Sequence, residues 1–117
     1  AQAACETYIR SLQASDVETL LALFDDNASI EDPVGTELRE GKSALREFYS
    51  VACEGVLSAA LSGAPRLAGN EVAFPFTVTA GTVGEELTIN IIDVFKFNEA
   101  GKVVSMRAFW GPNNIGS

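Results

Sequence analysis

Between Leu87 and Phe97 the chain reads LTINIIDVFKF, and its alternate positions carry Leu87, Ile89, Ile91, Asp93, Phe95 and Phe97. Alternate residues of a strand share a face, so the stretch predicts a strand with one strongly apolar side and a carboxylate in the middle of it. Burying an ionised carboxylate there is costly unless it is paired or neutralised. Either a Lys or Arg pairs with Asp93, or a bulge turns it outward, or it is buried without a cation. Lys96 falls on the opposite face, and no cation is adjacent on the same one. In the last case desolvation raises the pKa of Asp93 and keeps it protonated at neutral pH. A neutral carboxylic acid can then donate a hydrogen bond.

The rest of the chain decides what that strand packs against. Cys5, Tyr8, Ile9 and Leu12 keep helical spacing, predicting a first helix over roughly Gln2 to Ala14 with Tyr8 on its inward stripe. Ser15 and Glu18 form a capping-box signature for a second short helix ending near Phe24, which the polar DDNA breaks. ASIEDP reads as a strand with Ala28, Ile30 and Asp32 on one face, and PVGTELREGK as a loop. Leu45, Phe48, Tyr49 and Ala52 mark a third helix from about Ser43 to Cys53, with Tyr49 inward. VLSAALSGAPRL is a weak strand interrupted by Gly63 and Pro65. EVAFPFTVTA and KVVSMRAFWG flank the opening strand as further strands. Helices followed by a meander of long strands predict an α+β domain, with three N-terminal helices on one face of a curved, mostly antiparallel sheet. An apolar cavity between such layers suits a small molecule. With no repeat or composition shift, residues 1–117 read as one domain; the start at Ala1 allows a processed or trimmed N-terminus.

Composition removes several function classes. Histidine is absent, which excludes His-based triads, His general bases and most zinc sites. Cys5 and Cys53 fit no metal-ligand spacing and read as two reduced thiols packed on helices, with a disulfide between them as the alternative. The net charge of −8, with scattered basic residues, opposes binding to nucleic acid or anionic membranes. No apolar run is long enough to span a bilayer and no signal-peptide pattern appears, so the expected location is cytoplasmic.

Proton chemistry must then rest on Asp, Glu, Tyr, Lys or Cys. Asp32 shares the inward face of its strand, whereas Glu31 points out; an ionised Asp at the mouth of an apolar cavity can serve as a general base. An Asp before Pro is also a common turn former. Tyr8 and Tyr49 are the two tyrosines of the chain. Buried tyrosines are most often core aromatics, but here two hydroxyls and two carboxyls are all predicted to face one cavity. Phe48, Phe74, Phe76, Phe95, Phe109, Met106 and Trp110 supply candidate apolar walls.

With these residues in place the chain resembles the bacterial ketosteroid isomerases (steroid Δ-isomerases), of the nuclear-transport-factor-2-like, cystatin-like superfamily. The matches are LFDDNASIEDPVG, REFY, VAFPFTV, IDVFKFNEAGKVVSMRAFWG and the tyrosine of TYIRSL, collinear over nearly the whole chain. The resemblance implies a cone-shaped α+β fold and isomerisation of a β,γ-unsaturated 3-ketosteroid through a dienolate. It implies Asp32 as general base, Tyr8 and a protonated Asp93 as oxyanion-hole donors, and Tyr49 as the supporting hydrogen bond. Phe48, Phe76, Phe95 and Trp110 would contact substrate. The family is a standard illustration of a carboxylic acid held neutral by an apolar site, so that role for Asp93 comes with the resemblance. It also implies no metal or other cofactor, and a homodimer packed through the outer sheet face, where Ile92 and Val94 lie. Phe24 stands where some members carry a third tyrosine, which shortens the tyrosine network. The segment from Glu54 to Asn70 matches loosely, which bears on substrate range.

The superfamily reuses this cone, so two further readings stand beside the first. One is an epoxide hydrolase or polyketide cyclase type enzyme. Dehydratases of the scytalone type rely on histidines, absent here. Epoxide hydrolases of the limonene type use an Asp–Arg–Asp arrangement, for which Arg107 is the residue to check. The other is a non-catalytic domain that binds hydrophobic ligands.

Overall fold

The computed structural model describes residues 1–116. Helix α1 (Gln2–Ala14), α2 (Val17–Leu21) and α3 (Lys42–Glu54) cover one face of a mixed, eight-stranded sheet. Its strands are β1 (Phe24–Glu31), β2 (Arg39–Glu40), β3 (Val56–Leu61), β4 (Arg66–Ala68), β5 (Glu71–Thr82), β6 (Glu85–Phe97), β7 (Val103–Phe109) and β8 (Ile115–Gly116). The order is β2-β1-β7-β6-β5-β3, with β4 also on β5 and β8 on β6; only the β1–β7 pairing is parallel. This is the α+β cone expected from the chain. Among the described residues no helix is long and apolar enough to cross a membrane.

Alternation dictates which side of the long central strands is inner. Along β5, Val72, Phe74, Phe76 and Val78 are buried and face the helices, while the residues between them are partly open. β6 follows the same period: Asp93 and Phe95 are inside, and Ile92 on the opposite face is exposed. The core forms where these strands meet Leu20, Leu21, Phe24, Ile30, Leu45, Val103 and Met106. Fully burying each such side chain contributes about 1.5–3 kcal/mol. Cys5 and Cys53 are buried free thiols in the same layer, and burial pushes the Cys5 thiol up to about 11.

Three local readings are corrected. Ser15 does not cap α2; it ends α1 in the left-handed conformation (φ 55°). The N–H of Ser15 then reaches Leu12 O and that of Asp16 reaches Ser11 O, a Schellman-type stop. The Ser15 hydroxyl is drawn to Cys53 O at the end of α3, at 3.0 Å. Asp16 takes over the cap, accepting from Thr19 N at 3.2 Å and Thr19 Oγ1 at 2.7 Å. Phe24 is not the end of a helix but the buried start of β1, paired with Val103. The polar DDNA that was to end the helix lies inside β1, where the register with β7 slips between Phe24 and Ser29. Such a slip accommodates polar residues without turning the rest of the strand over. Finally, Arg39 and Glu40, expected in a loop, add β2 to the edge of β1, with Arg39 opposite Ile30 and Glu40 opposite Ser29.

Candidate active site

Between the helices and the inner sheet face lies an open-mouthed cavity of about 240 Å³, lined by Tyr8, Asp32, Phe48, Tyr49, Phe76, Asp93 and Trp110 among others. Its remaining wall is aliphatic, supplied by Leu12, Val56, Val78, Ile89 and Ile91 with Ala52, Gly55 and Ala80. Each polar group arrives on a different element, so the fold converges side chains that are far apart in sequence.

Asp93 comes from the centre of β6, where its register partners are Phe74 on β5 and Ala108 on β7. Both neighbours are fully buried and neither carries charge. Asp93 itself is 1% exposed, and its Oδ1 has no hydrogen-bond partner. Lys96 lies on the solvent side, and Asp93 takes part in no ion pair among the described residues. Burial first, and then the negative charge of Asp32, push its carboxyl well above the usual range; Tyr8 opposes the rise. The Tyr8 hydroxyl is thus close enough to Asp93 to favour its charged form, although the hydrogen bond it makes is to Tyr49. The three alternatives for Asp93 reduce to one: buried, without a cation.

Tyr8 and Tyr49 come from the inward stripes of α1 and α3, and their hydroxyls share a hydrogen bond at 3.0 Å. Both rings are buried, and burial is the main cause holding both hydroxyls well above the usual tyrosine value. They therefore remain neutral donors. Tyr8 is held by edge-on contacts to Phe95 (5.1 Å between centroids), Phe74 and Tyr49 (5.9 Å each). Such packing leaves its hydroxyl little freedom to wander.

Asp32 follows β1 directly and keeps to the face of Ala28 and Ile30. The loop behind it is tied to β7 by Val34 N–H donating to Ala108 O at 2.8 Å. Trp110, just past β7, donates its indole N–H to Asp32 Oδ1 at 2.9 Å. Burial raises the Asp32 carboxyl, while the Trp110 hydrogen bond and then the charge of Arg39 pull it back. One carboxyl therefore sits deep with no compensating cation, and the other sits at the mouth with a donor and a cation helping it ionise. Both are raised by burial, Asp93 far more than Asp32, and such a separation lets one acid hold its proton at a pH where the other has lost it.

Other expectations are redistributed. Phe48, Phe76 and Trp110 line the cavity, but Phe95 does not; it stands behind Tyr8, stacked edge-on against Phe74 at 4.9 Å and Phe24 at 5.9 Å. Its alternation correctly placed it inward, but the strand carries it past the cavity floor into the core. Arg107 faces away: it pairs with Val94 across β6 and β7, and its guanidinium lies by Glu31 at 3.5 Å and over Phe109. An Asp–Arg–Asp arrangement through Arg107 is therefore not formed. The hydrogen bond from Trp110 to Asp32 and the approach of Arg39 were missed, because neither has a spacing signal within one element. Among the described residues, no group of three or more His, Cys, Asp and Glu could hold a metal ion.

Comparison with known proteins agrees with this architecture. Residues 5–106 match the SnoaL-like domain. The chain is 33% identical over 114 residues to the steroid Delta-isomerase of Nocardioides simplex, covering 97% of this chain and 92% of that protein. It is also 33% identical over 110 residues to the epoxide hydrolase LasB of Streptomyces lasalocidi, covering 89% of this chain but 39% of that longer protein. Among solved structures, the epoxide hydrolase/cyclase-like enzyme SalBIII, described in pyran ring formation in the polyether salinomycin, superposes with a TM-score of 0.87. That pair is 31% identical over 97% of this chain and 92% of the other.

Proposed function

This chain belongs to the SnoaL-like domain family, and from that premise we propose that it is a cofactor-independent steroid Δ-isomerase. The observation that carries the reading is the Asp93 carboxyl, buried without a cation and with Oδ1 unpartnered, in the same cavity as Tyr8 and Asp32. The 33% identity to a steroid Delta-isomerase over nearly the full length supports it.

The substrate is a β,γ-unsaturated 3-ketosteroid whose ketone enters first. Its carbonyl oxygen accepts hydrogen bonds from protonated Asp93 and from Tyr8, while Tyr49 holds the Tyr8 hydroxyl. The Asp32 carboxylate removes a proton from the carbon between the carbonyl and the double bond. The C–H electron pair moves into the ketone as a dienolate, whose oxygen gains charge where the donors stand. Donors that bind this oxygen more tightly as charge develops lower the barrier. Asp32 then returns the proton to the far end of the dienolate, giving the conjugated enone. Atoms and electrons balance with no oxidant, metal or second base. A cavity of 240 Å³ is below the size that encloses a whole drug-sized ligand. The reacting rings occupy it, and the rest of the skeleton rests at the mouth against Phe48 and Trp110.

A second reading draws on LasB and SalBIII. The same acid and base could open an epoxide: Asp93 protonates the epoxide oxygen, while Asp32 deprotonates the water or substrate hydroxyl that attacks carbon. One ultraviolet assay separates the two. Conjugated enone appears from a β,γ-unsaturated 3-ketosteroid with the unmodified protein, and its rate collapses in Asp32→Asn. No enone, with turnover of an epoxy-alcohol that depends on Asp32 and Asp93, favours the second reading. Binding of phenols without either turnover favours a non-catalytic ligand-binding role.

The partner surface belongs to the same proposal. Ile92 and Phe109 face each other across β6 and β7 on the outer side of the sheet, both exposed, with Val94 beside them. A second copy covering this face would form a homodimer. Sedimentation should find a dimer in the unmodified protein and a monomer in Ile92→Glu.

A further inference from the structure

Arg39 lines a groove that adjoins the cavity, and Phe48 borders both. Arg39 lies on β2, directly across from Ile30, and cross-strand partners present their side chains on the same face. Ile30 is fully buried on the inner face, so Arg39 lies on the inner side of the sheet edge, where it is half-buried. Its guanidinium carbon rests over the Phe48 ring at 4.8 Å, and Phe48 lines the cavity with Asp32. Among the described residues Arg39 forms no ion pair, although Glu47 lines the same outer groove along α3. An arginine keeps its charge throughout the pH range of interest and stacks well on an aromatic ring. Asp32 is the next residue after Ile30 on that inner face, which places it diagonal to Arg39 in the register.

We propose that Arg39 is a positioning residue for Asp32: stacked on Phe48 beside the cavity, its guanidinium is the cation that favours the ionised base. The proposal deepens the proposed function, since it rests on the reading that Asp32 is the base. It accounts for an inward arginine without an acidic partner, placed on an edge strand of two residues. The groups facing Asp32 are Trp110 past β7, Asp93 on β6, Tyr8 on α1, Tyr49 on α3 and Arg39 on β2. Trp110 and the tyrosines are uncharged and Asp93 is acidic, which leaves Arg39 as the cation of this set. Burial raises the Asp32 carboxyl, and Arg39 acts in the opposite sense. Phe48 sets the height of the guanidinium, so charge and stacking work together.

The test needs no substrate. Trp110 is the only tryptophan, and its indole N–H is bonded to Asp32 Oδ1. Its single indole resonance should therefore follow protonation of Asp32 in the full chain. Asp32→Asn should abolish the acid transition, identifying it. Arg39→Met keeps a side chain able to lie on Phe48 but removes the charge; it should move the transition upward by about half a unit to one unit. Arg39→Lys should leave the transition near its original position, and added salt should narrow the gap between Met variant and unmodified protein. Should Arg39→Met not fold by circular dichroism, Arg39→Gln provides the same comparison. An unchanged midpoint in the charge-deleted variant, or a flat indole signal in the unmodified protein, would overturn the proposal. With the ketosteroid, the acid limb of kcat/KM should move by the same amount while KM stays constant. If no enone forms but the indole midpoint shifts, the isomerase reading fails and the assignment of Arg39 stands.

Discussion

At the inner end of the cavity Asp93 stands between Phe74 and Ala108 with no cation near it, whereas at the mouth Asp32 accepts from Trp110 within the field of Arg39. The two carboxyls belong to one cavity and one residue type, and burial raises both, yet Asp93 is pushed well above the usual range while a donor and a cation hold Asp32 back. Deep in the cone, withdrawal from water dominates, and the cheapest response of a lone carboxyl is to keep its proton. At the mouth, a donor and a charge oppose burial in part, so the rise is smaller and the anion is easier to form. The roles proposed for them follow from position on the sheet: mid-strand on the central β6 for the acid, the strand end of β1 for the base. Substitutions at the two ends should fail differently.

The largest effect is expected at the mouth. Asp32→Asn removes the proposed base and should lower enone turnover by on the order of 10²–10⁴-fold with little change in KM, read in the ultraviolet assay. An equal loss in kcat with a steep rise in KM would instead assign Asp32 to binding. At the inner end, Asp93→Ala removes a donor to the developing oxyanion, for a loss of about 10²–10³-fold. Asp93→Asn keeps an N–H donor of similar shape and should retain more activity than the alanine variant. If the two are equally impaired, hydrogen-bond donation is not what Asp93 supplies.

The same contrast appears in stability. Because the folded carboxyl of Asp93 is raised well above its ordinary value of 3.8, the native state holds a proton that the unfolded chain has released. Its contribution is fully present below the unfolded value and is lost as pH rises toward the folded one. The slope for one such proton is about 1.4 kcal/mol per pH unit. Urea melts of the unmodified protein and Asp93→Asn should diverge in that sense, the variant losing less stability as pH increases from about 4. Parallel curves would mean that Asp93 titrates normally. The smallest effect is expected for Tyr49→Phe, which breaks the 3.0 Å bond to Tyr8. It removes one buried hydrogen bond, with Asp93 still beside the Tyr8 hydroxyl, and should cost about 0.5–1.5 kcal/mol in the same melts. It should slow turnover far less than loss of either carboxyl.

Much of this contrast is legible in the sequence because period-two alternation is a strong signal on long strands. The run from Leu87 to Phe97 assigns Asp93 to the inner face, and Val72 to Val78 assigns the facing strand. Helical spacing likewise turns Tyr8 and Tyr49 inward. What escapes is whatever depends on tertiary proximity or on competition between caps. Ser15 and Asp16 both carry capping chemistry, and the choice was made by Cys53 O on another helix, which captured the serine hydroxyl. Arg39 lies on a strand of two residues, too short to show alternation, so nothing along the chain announces that it faces in. Phe95 has the correct face, but depth along a face has no periodic signature. Trp110 was legible as an apolar wall; its N–H bond to Asp32 spans 78 residues.

The central claim is that Asp93 is a neutral acid at the pH where Asp32 is an anion. Carbon-13 NMR of the aspartate carboxyls, with Asp93→Asn used to assign the signal, tests it directly. The Asp93 carbon should hold its protonated position through neutral pH while Asp32 has already ionised. A transition for Asp93 near the ordinary value of about 3.9 would contradict the account.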